Sequence, residues 1–259
     1  MTTIAEAFSK AKNENRAALI GYLPAGYPTK TGAIECISAI VAGGVDIIEI
    51  GLPYSDPLMD GVTIQEAVQV ALENGTKIAD VIDTAGEVSK LGVATLVMSY
   101  WNPIERYGVA KFAQQLHQAG GVGVITPDLT PEESAAWTEA TDANEIDRVF
   151  LVALSSTDTR LATVASATTG FVYAGAVMGV TGARSALGDS VREVVNRTRQ
   201  YTDLPIAVGL GVSTPEQAHE IAQYADGVIV GSAFINAIAR GGAPAAHELA
   251  VALRAGVER

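Results

Sequence analysis

The chain has 259 residues, 48% hydrophobic and 18% charged, with 26 glycines. That composition supplies a sizeable core and excludes a disordered chain. Lys+Arg number 17 against 29 Asp+Glu, a net charge of −12, and no Lys/Arg cluster offers the basic face that nucleic acid or an anionic membrane surface needs. An anionic small ligand must therefore be held by local backbone N–H groups.

The elements alternate from end to end. A helix over 4–13 precedes a strand over 17–22, and a helix over 31–42 leads to a strand over 46–51. After a long intervening stretch come a helix over 77–91 and a strand over 95–99. Next are a helix over 109–119, a strand over 122–126, a helix over 131–139 and strands over 148–154 and 171–174. A helix over 190–202, a strand over 206–209, a helix over 215–224 and a strand over 227–231 follow. A short helix over 234–239 and a closing one over 244–257 end the chain. Ser213-Thr214-Pro215-Glu216 and Thr130-Pro131-Glu132-Glu133 carry helix-start grammar. Gly43, Gly92 and Gly120 stand where left-handed helix ends are expected.

The runs VDIIEIG, TLVMS, FLVAL and GVIVG are continuously apolar, as strands covered by helices on both faces are. Eight strand–helix units match a (β/α)8 TIM barrel, about 250 residues in size. A doubly wound open sheet is the alternative. The expectation is a single barrel domain over 1–259, with an extra N-terminal helix capping its bottom and short extra helices after strands 2 and 8. Cys36 is the only cysteine and lies in an apolar-periodic stretch, so a buried helix thiol is expected. The N-terminal MTTIAEAFSKAKNENR has no apolar run of signal-peptide length and no run of about 18 or more apolar residues occurs, and a cytoplasmic protein is expected.

The gap after the second strand is the longest and falls on the face where barrel sites are built. Glu49, late in that strand, shares a face with Ile47 and Gly51. An inward carboxyl there is desolvated, which raises its pKa and suits it to proton transfer near neutrality. Asp56 and Asp60 follow in PYSDPLMDG. Either reads as a turn residue by itself, but an acid on this loop can face one small ligand together with Glu49.

Three glycine-rich loops follow the late strands: residues 174–182, residues 209–213, and Gly231-Ser232-Ala233 opening a short helix. Glycine loops after strands 7 and 8 and a short helix N-terminus bind phosphate through backbone N–H groups, with Ser232 adding a hydroxyl. His117, His219 and His247 all fall within predicted helices, and no lysine ends a strand. A Schiff-base lysine and a metal ligand set are thus missing, and no early Gly-x-Gly-x-x-Gly indicates a nicotinamide fold. What remains is acid–base work on a phosphorylated small molecule whose own atoms supply the electron sink.

The segments GYLPAGYP (21–28), DIIEIGLPYSDPLMDG (46–61), MSYWNPIERYG (98–108), SSTDTR (155–160), GFVYAGAVMGVTGAR (170–184), GLGVSTPEQA (209–218) and ADGVIVGSAF (225–234) run in order through nearly the whole chain. Through them the chain resembles the alpha subunit of tryptophan synthase. The resemblance implies a lyase that splits indole-3-glycerol phosphate into indole and glyceraldehyde 3-phosphate. It makes Glu49 the acid/base at indole C3 and the glycerol hydroxyl, and Asp60 the partner of the indole N–H. It places Tyr22 and Tyr100 in the indole pocket, Tyr173 as the active-site tyrosine of the sixth strand, Leu210 near the indole or phosphate, and Thr181 with Gly182 on a closing loop. Gly182, Gly211, Gly231 and Ser232 match phosphate contacts. It implies an alpha–beta–beta–alpha complex with a beta subunit that carries pyridoxal phosphate, this chain having no cofactor. Asp56, Pro57, Asn102 and Pro103 match the contact loops.

The sequence departs from the family pattern at Met59, Val62, Thr130, Leu210 and Ala176-Val177-Met178. The absence of proline at Val62 is expected to loosen the helix start after Asp60. Another phosphate-binding barrel, an isomerase or epimerase, would be expected to place a metal or a histidine at strand ends. A barrel acting only as a channelling partner would not need Glu49 and Asp60.

Overall fold

The computed structural model describes residues 1–175 and 184–259, with backbone alone for 184–188. Nine parallel strands form one sheet: β1 (Ala18–Pro24), β2 (Ile47–Gly51), β3 (Ala94–Met98), β4 (Gly123–Ile125), β5 (Asp147–Val149), β6 (Leu151–Ala153), β7 (Val172–Gly175), β8 (Ile206–Gly209) and β9 (Gly227–Val230). Their order is β5-β4-β3-β2-β1-β9-β8-β7-β6. The two ends, β5 and β6, are consecutive pieces of one run interrupted only at Phe150, whose carbonyl accepts from Tyr173 N–H at 3.1 Å. The sheet therefore closes on itself as an eight-staved barrel, the fold expected from the strand count.

Helices α1 (Ile4–Asn13), α2 (Lys30–Ala42), α3 (Val62–Glu73), α4 (Ile78–Ser89), α5 (Trp101–Tyr107), α6 (Val109–Ala119), α7 (Ala135–Asp142), α8 (Asp158–Ala167), α9 (Arg184–Thr198), α10 (Pro215–Ala222) and α11 (Ser232–Gly256) accompany the strands. The core has two layers. Outward strand residues such as Ile48, Ile50, Val97 and Val208 pack with the helices. Inward residues Ile20, Ile47, Leu96, Ile125 and Ile229 fill the barrel with Ile4 and Phe8 of α1. The extra N-terminal helix does plug the barrel: Phe8 meets Phe171 at 5.6 Å, and a Thr3–Glu6 capping box starts it.

Several boundaries differ from the sequence reading. The predicted helix over 131–139 is a 3-10 turn, Pro131–Glu133, followed by α7, because the Ser134 hydroxyl takes the Pro131 carbonyl and restarts the chain as N-cap. The helix after β7 begins at Arg184 rather than 190 and stops at Thr198. Gly43 is right-handed (φ −76°), and the left-handed residue is Gly44 (φ +103°). Gly92 (φ +78°) and Gly120 (φ +97°) are left-handed as expected. The short and closing helices after β9 form α11, broken by non-helical Gly241 and Gly242 just before Pro244. The extra helix after β2 is α3, 12 residues long. Its start is well formed without proline: Ile64 and Gln65 N–H bond the Gly61 carbonyl at 2.9 and 3.0 Å, and the Gln65 side chain bonds the Asp60 carbonyl at 2.8 Å. The sequence reading missed α5 and α8. The Thr157 hydroxyl caps α8, and the run Ser155-Ser156-Thr157-Asp158 carries that signal.

Candidate active site at the C-terminal mouth of the barrel

Strand alternation carries Ile47 into the barrel floor and Glu49 one layer higher, in register with Tyr22 of β1 and Leu96 of β3. Glu49 is 1% exposed, and neither carboxylate oxygen has a hydrogen-bond partner. Its surroundings supply desolvation with no compensating donor, which pushes its pKa up to about 8. A buried, unsatisfied carboxyl is costly to fold. It is the kind of strain that collects at functional sites.

Glu49 opens into a cavity of about 170 Å³ at the C-terminal ends of the strands. The rings of Tyr22 and Tyr173 line it from β1 and β7. Burial raises both phenol pKa values well above their usual range, and the carboxyls of Glu49 and Asp60 push them the same way, so both hydroxyls stay neutral. Glycines make room for these rings. A Cβ at Gly51 would stand 2.3 Å from the Tyr22 hydroxyl, and one at Gly209 would stand 2.4 Å from that of Tyr173.

Asp60 lines the same cavity from the loop after β2. Burial pushes its carboxyl pKa up, and the Tyr100 hydroxyl beside it holds it partly back. Tyr100 itself is buried, and its pKa is pushed up to about 12, chiefly by that burial. Its hydroxyl accepts the Met59 N–H at 2.9 Å. Tyr100 thus braces the Asp60 loop; its hydroxyl stands beside the carboxyl of cavity-lining Asp60, while Tyr100 itself is not among the lining residues. Leu210 does not line the cavity either, because its side chain packs against the outer helical core.

The opposite wall is backbone. Gly209, Gly211, Gly231 and Ser232 line it. Gly211 is left-handed at φ +64°, a conformation that glycine adopts without strain. Ser232 opens α11, whose N-cap Gly231 has no side chain to take up the first-turn N–H groups. That end of the cavity offers backbone donors and a helix dipole of the kind that suits an anion, with no Lys or Arg among the described lining residues. Thr181, Gly182 and Ala176-Val177-Met178 lie outside the described residues.

Gly61, Ile64, Met98, Pro127, Leu151 and Ile229 also line the cavity and were not expected to, Gly175 and Gly209 belong to the expected glycine-rich loops, and Met59 was noted only as a departure. The two-residue alternation carries the signal for several of them. Met98 stands two residues after Leu96, Gly175 two after Tyr173, and Ile229 and Gly231 follow inward Gly227. Among the described residues no group of three or more His, Cys, Asp or Glu is placed to hold a metal ion. His117, His219 and His247 sit on α6, α10 and α11, and Cys36 is buried on α2.

Outside the cavity, the loops after β2 and β3 are tied together. Asn102 donates to the Tyr54 hydroxyl at 3.0 Å, and Tyr54 packs on Tyr100 at 5.6 Å. Asp56 and Asn102 are exposed and Pro57 half-buried, while Pro103 is buried within α5. Pro103 thus supports that surface from beneath and is not presented on it.

A profile of the family "Tryptophan synthase alpha chain" matches residues 8–256. The chain is 52% identical over 262 residues to the tryptophan synthase alpha chain of Acidothermus cellulolyticus, covering 100% of this chain and 98% of that one. It is 55% identical over 237 residues to that of Thermobifida fusca, covering 90% of this chain and 88% of the relative. Among solved structures it is similar to Mycobacterium tuberculosis tryptophan synthase, with TM-score 0.94, 48% identity and full coverage of both chains. It is similar also to the alpha subunit from Legionella pneumophila, with TM-score 0.91, 29% identity, and 99% and 98% coverage. With this fold, this cavity and these matches together, the chain belongs to the tryptophan synthase alpha chain family.

Proposed function

We propose that the chain cleaves indole-3-glycerol phosphate to indole and glyceraldehyde 3-phosphate, a retro-aldol reaction run by carboxyl groups. The observation that carries this reading is Glu49: fully buried, unpartnered and facing the cavity, with a pKa of about 8. At neutral pH it holds its proton more often than not and can lose it again.

The phosphate lies against Gly211, Gly231 and Ser232, held by backbone N–H groups and the α11 dipole. The indole lies at the Asp60 side, among Met59, Ile64, Met98 and Leu151. Glu49 gives its proton to indole C3. The ring becomes an indoleninium whose charge on nitrogen is stabilised by the Asp60 carboxylate next to the N–H. The bond between C3 and the glycerol carbon then breaks, and its electron pair returns to the ring. The glycerol hydroxyl becomes the aldehyde and returns a proton to Glu49. Electrons and protons balance without a further reactant, so the chain needs no cofactor of its own for these steps.

Tryptophan synthase keeps its pyridoxal phosphate in the beta subunit, and the mycobacterial structure similar to this chain is of tryptophan synthase. The exposed surface carrying Asp56, Pro57 and Asn102 is the docking face for that subunit in an alpha–beta–beta–alpha complex, Pro103 buttressing it. Among the described residues no helix is long and apolar enough to cross a membrane, and the working compartment is the cytoplasm. Residues 1–259 act as one barrel domain.

The test is indole release by the purified chain, with and without a beta subunit. The expected result is cleavage that rises when the partner is added, with a loss of at least about 100-fold in Glu49→Gln, the size of general acid–base catalysis. Wild-type turnover in Glu49→Gln overturns the assignment. Asp60→Asn is expected to lose most activity, and unchanged turnover reduces Asp60 to a turn residue.

A further inference from the structure

The cavity is closed on most sides by buried or half-buried side chains: Tyr22, Glu49, Ile229, Ile64, Met98 and Leu151. Met59 is different. It lines the cavity and is 45% exposed. Gly211 is the other exposed lining residue, and it has no side chain. The neighbours Leu58 and Val62 are more exposed still, at 80% and 70%, and neither lines the cavity. Among the described residues Met59 is therefore the exposed side chain at the rim, and it stands next to Asp60.

Its backbone is fixed in place. The Met59 N–H donates to the Tyr100 hydroxyl at 2.9 Å, and Tyr100 is buried and packed on Tyr54. The side chain thus departs from an anchored point. It lines the cavity together with the apolar side chains of Ile64, Met98 and Leu151 and stands next in sequence to Asp60. A thioether chain is apolar and polarisable, and it packs well against the edge of an aromatic ring.

We propose that Met59 is a specificity-determining residue: it covers the open rim over the ring-binding end and sets how large the six-membered edge of the indole can be. This rests on the function proposed above. A pocket wall that differs by a methylene or more discriminates between substrates by about 10–200-fold in kcat/KM. On this assignment, in a cavity of about 170 Å³, a methyl group on the far edge of the ring is set against the Met59 chain. Shortening that chain opens space at the rim, where among the described residues Met59 is the exposed lining side chain.

The test compares kcat/KM for indole-3-glycerol phosphate with that for its analogues methylated at ring positions 5 and 6, using the chain together with a beta subunit. Met59→Ala is expected to raise the ratio of methylated to unmethylated substrate by about tenfold or more. Met59→Leu, which keeps the volume, is expected to leave it within about twofold of wild type. Inorganic phosphate binding, read by calorimetry, is expected to be unchanged in both variants because it belongs to the opposite wall. A ratio in Met59→Ala equal to that of wild type overturns the role of Met59 while the lyase reading stands. Failure of the wild-type complex to cleave the unmethylated substrate overturns the lyase reading, and this proposal with it.

Discussion

The Glu49 carboxyl has no donor within reach and no water-exposed edge, so the folded protein favours its neutral form. The unfolded chain returns it to the ordinary value of 4.5, against about 8 when folded. Below pH 4.5 both states hold the proton and there is no penalty. Between these values only the unfolded state has released it, so stability falls as pH rises and levels off above about 8. At about 1.4 kcal/mol per pKa unit the loss is on the order of 3 kcal/mol between pH 5.5 and 8. Glu49→Gln does not titrate. Urea unfolding of the two proteins is expected to show the variant gaining on wild type by roughly that amount over the interval. A constant difference would mean that Glu49 is solvated or paired. The same group gives activity its alkaline limit: kcat/KM is expected to fall as pH passes about 8, because the proton needed at indole C3 is gone.

At the scale of elements, two glycine-ended strands hold the aromatic side walls. Gly209 ends β8 where the Tyr173 ring from β7 crosses it, leaving 2.9 Å between the ring and a Cβ built at that position. Gly209→Ala therefore drives Tyr173 from its place. Overpacking of this kind costs about 1–3 kcal/mol, and with Tyr173 displaced the cavity loses a wall. The expected outcome is a melting temperature lowered by several degrees, with activity reduced at least tenfold even where the variant is fully folded. Wild-type kinetics in a folded Gly209→Ala would show that Tyr173 does not shape the site. The loop after β1 is held differently. The Asn74 side-chain amide, from the turn after α3, donates to the carbonyls of Gly26 and Pro28 at 3.0 and 2.9 Å. Asn74→Ala removes both bonds and is expected to lower stability by about 1–3 kcal/mol in the same unfolding assay.

At the scale of the whole molecule, site and stability occupy opposite ends of the barrel. The bottom is tied by Arg16, 2% exposed, whose guanidinium meets both Asp46 oxygens at 2.5 and 2.7 Å and Glu14 at 2.7 Å. The C-terminus closes over it: Ala17 N–H bonds the Val257 carbonyl at 3.0 Å, and Arg259 reaches the carbonyls of Ala222 and Ala225 at 2.6 and 2.7 Å. Removing one partner of a buried pair costs about 3–5 kcal/mol. Arg16→Ala is therefore expected to melt roughly 10 °C lower and to keep its turnover at 25 °C, since no atom of the pair touches the cavity. A loss of turnover in the folded variant would mean that the two ends are coupled.

Much of this was written in local chemistry. Apolar runs covered on both faces, their number and their spacing determine the barrel. The two-residue period alone puts Glu49 inside with Ile47, and the hydroxyls at Thr3, Thr157 and Thr214 mark where helices begin. Glycines after the late strands mark where backbone donors line the cavity, because a loop without side chains leaves its N–H groups open. Long-range packing decided the rest. No local pattern sends the Tyr100 hydroxyl to the Met59 amide, across 41 residues of chain. None turns Leu210 toward the helices, buries Pro103, or leaves Met59 as the exposed rim. Such contacts join segments that meet only once the barrel has closed, so their geometry belongs to the closed sheet and not to any stretch of sequence.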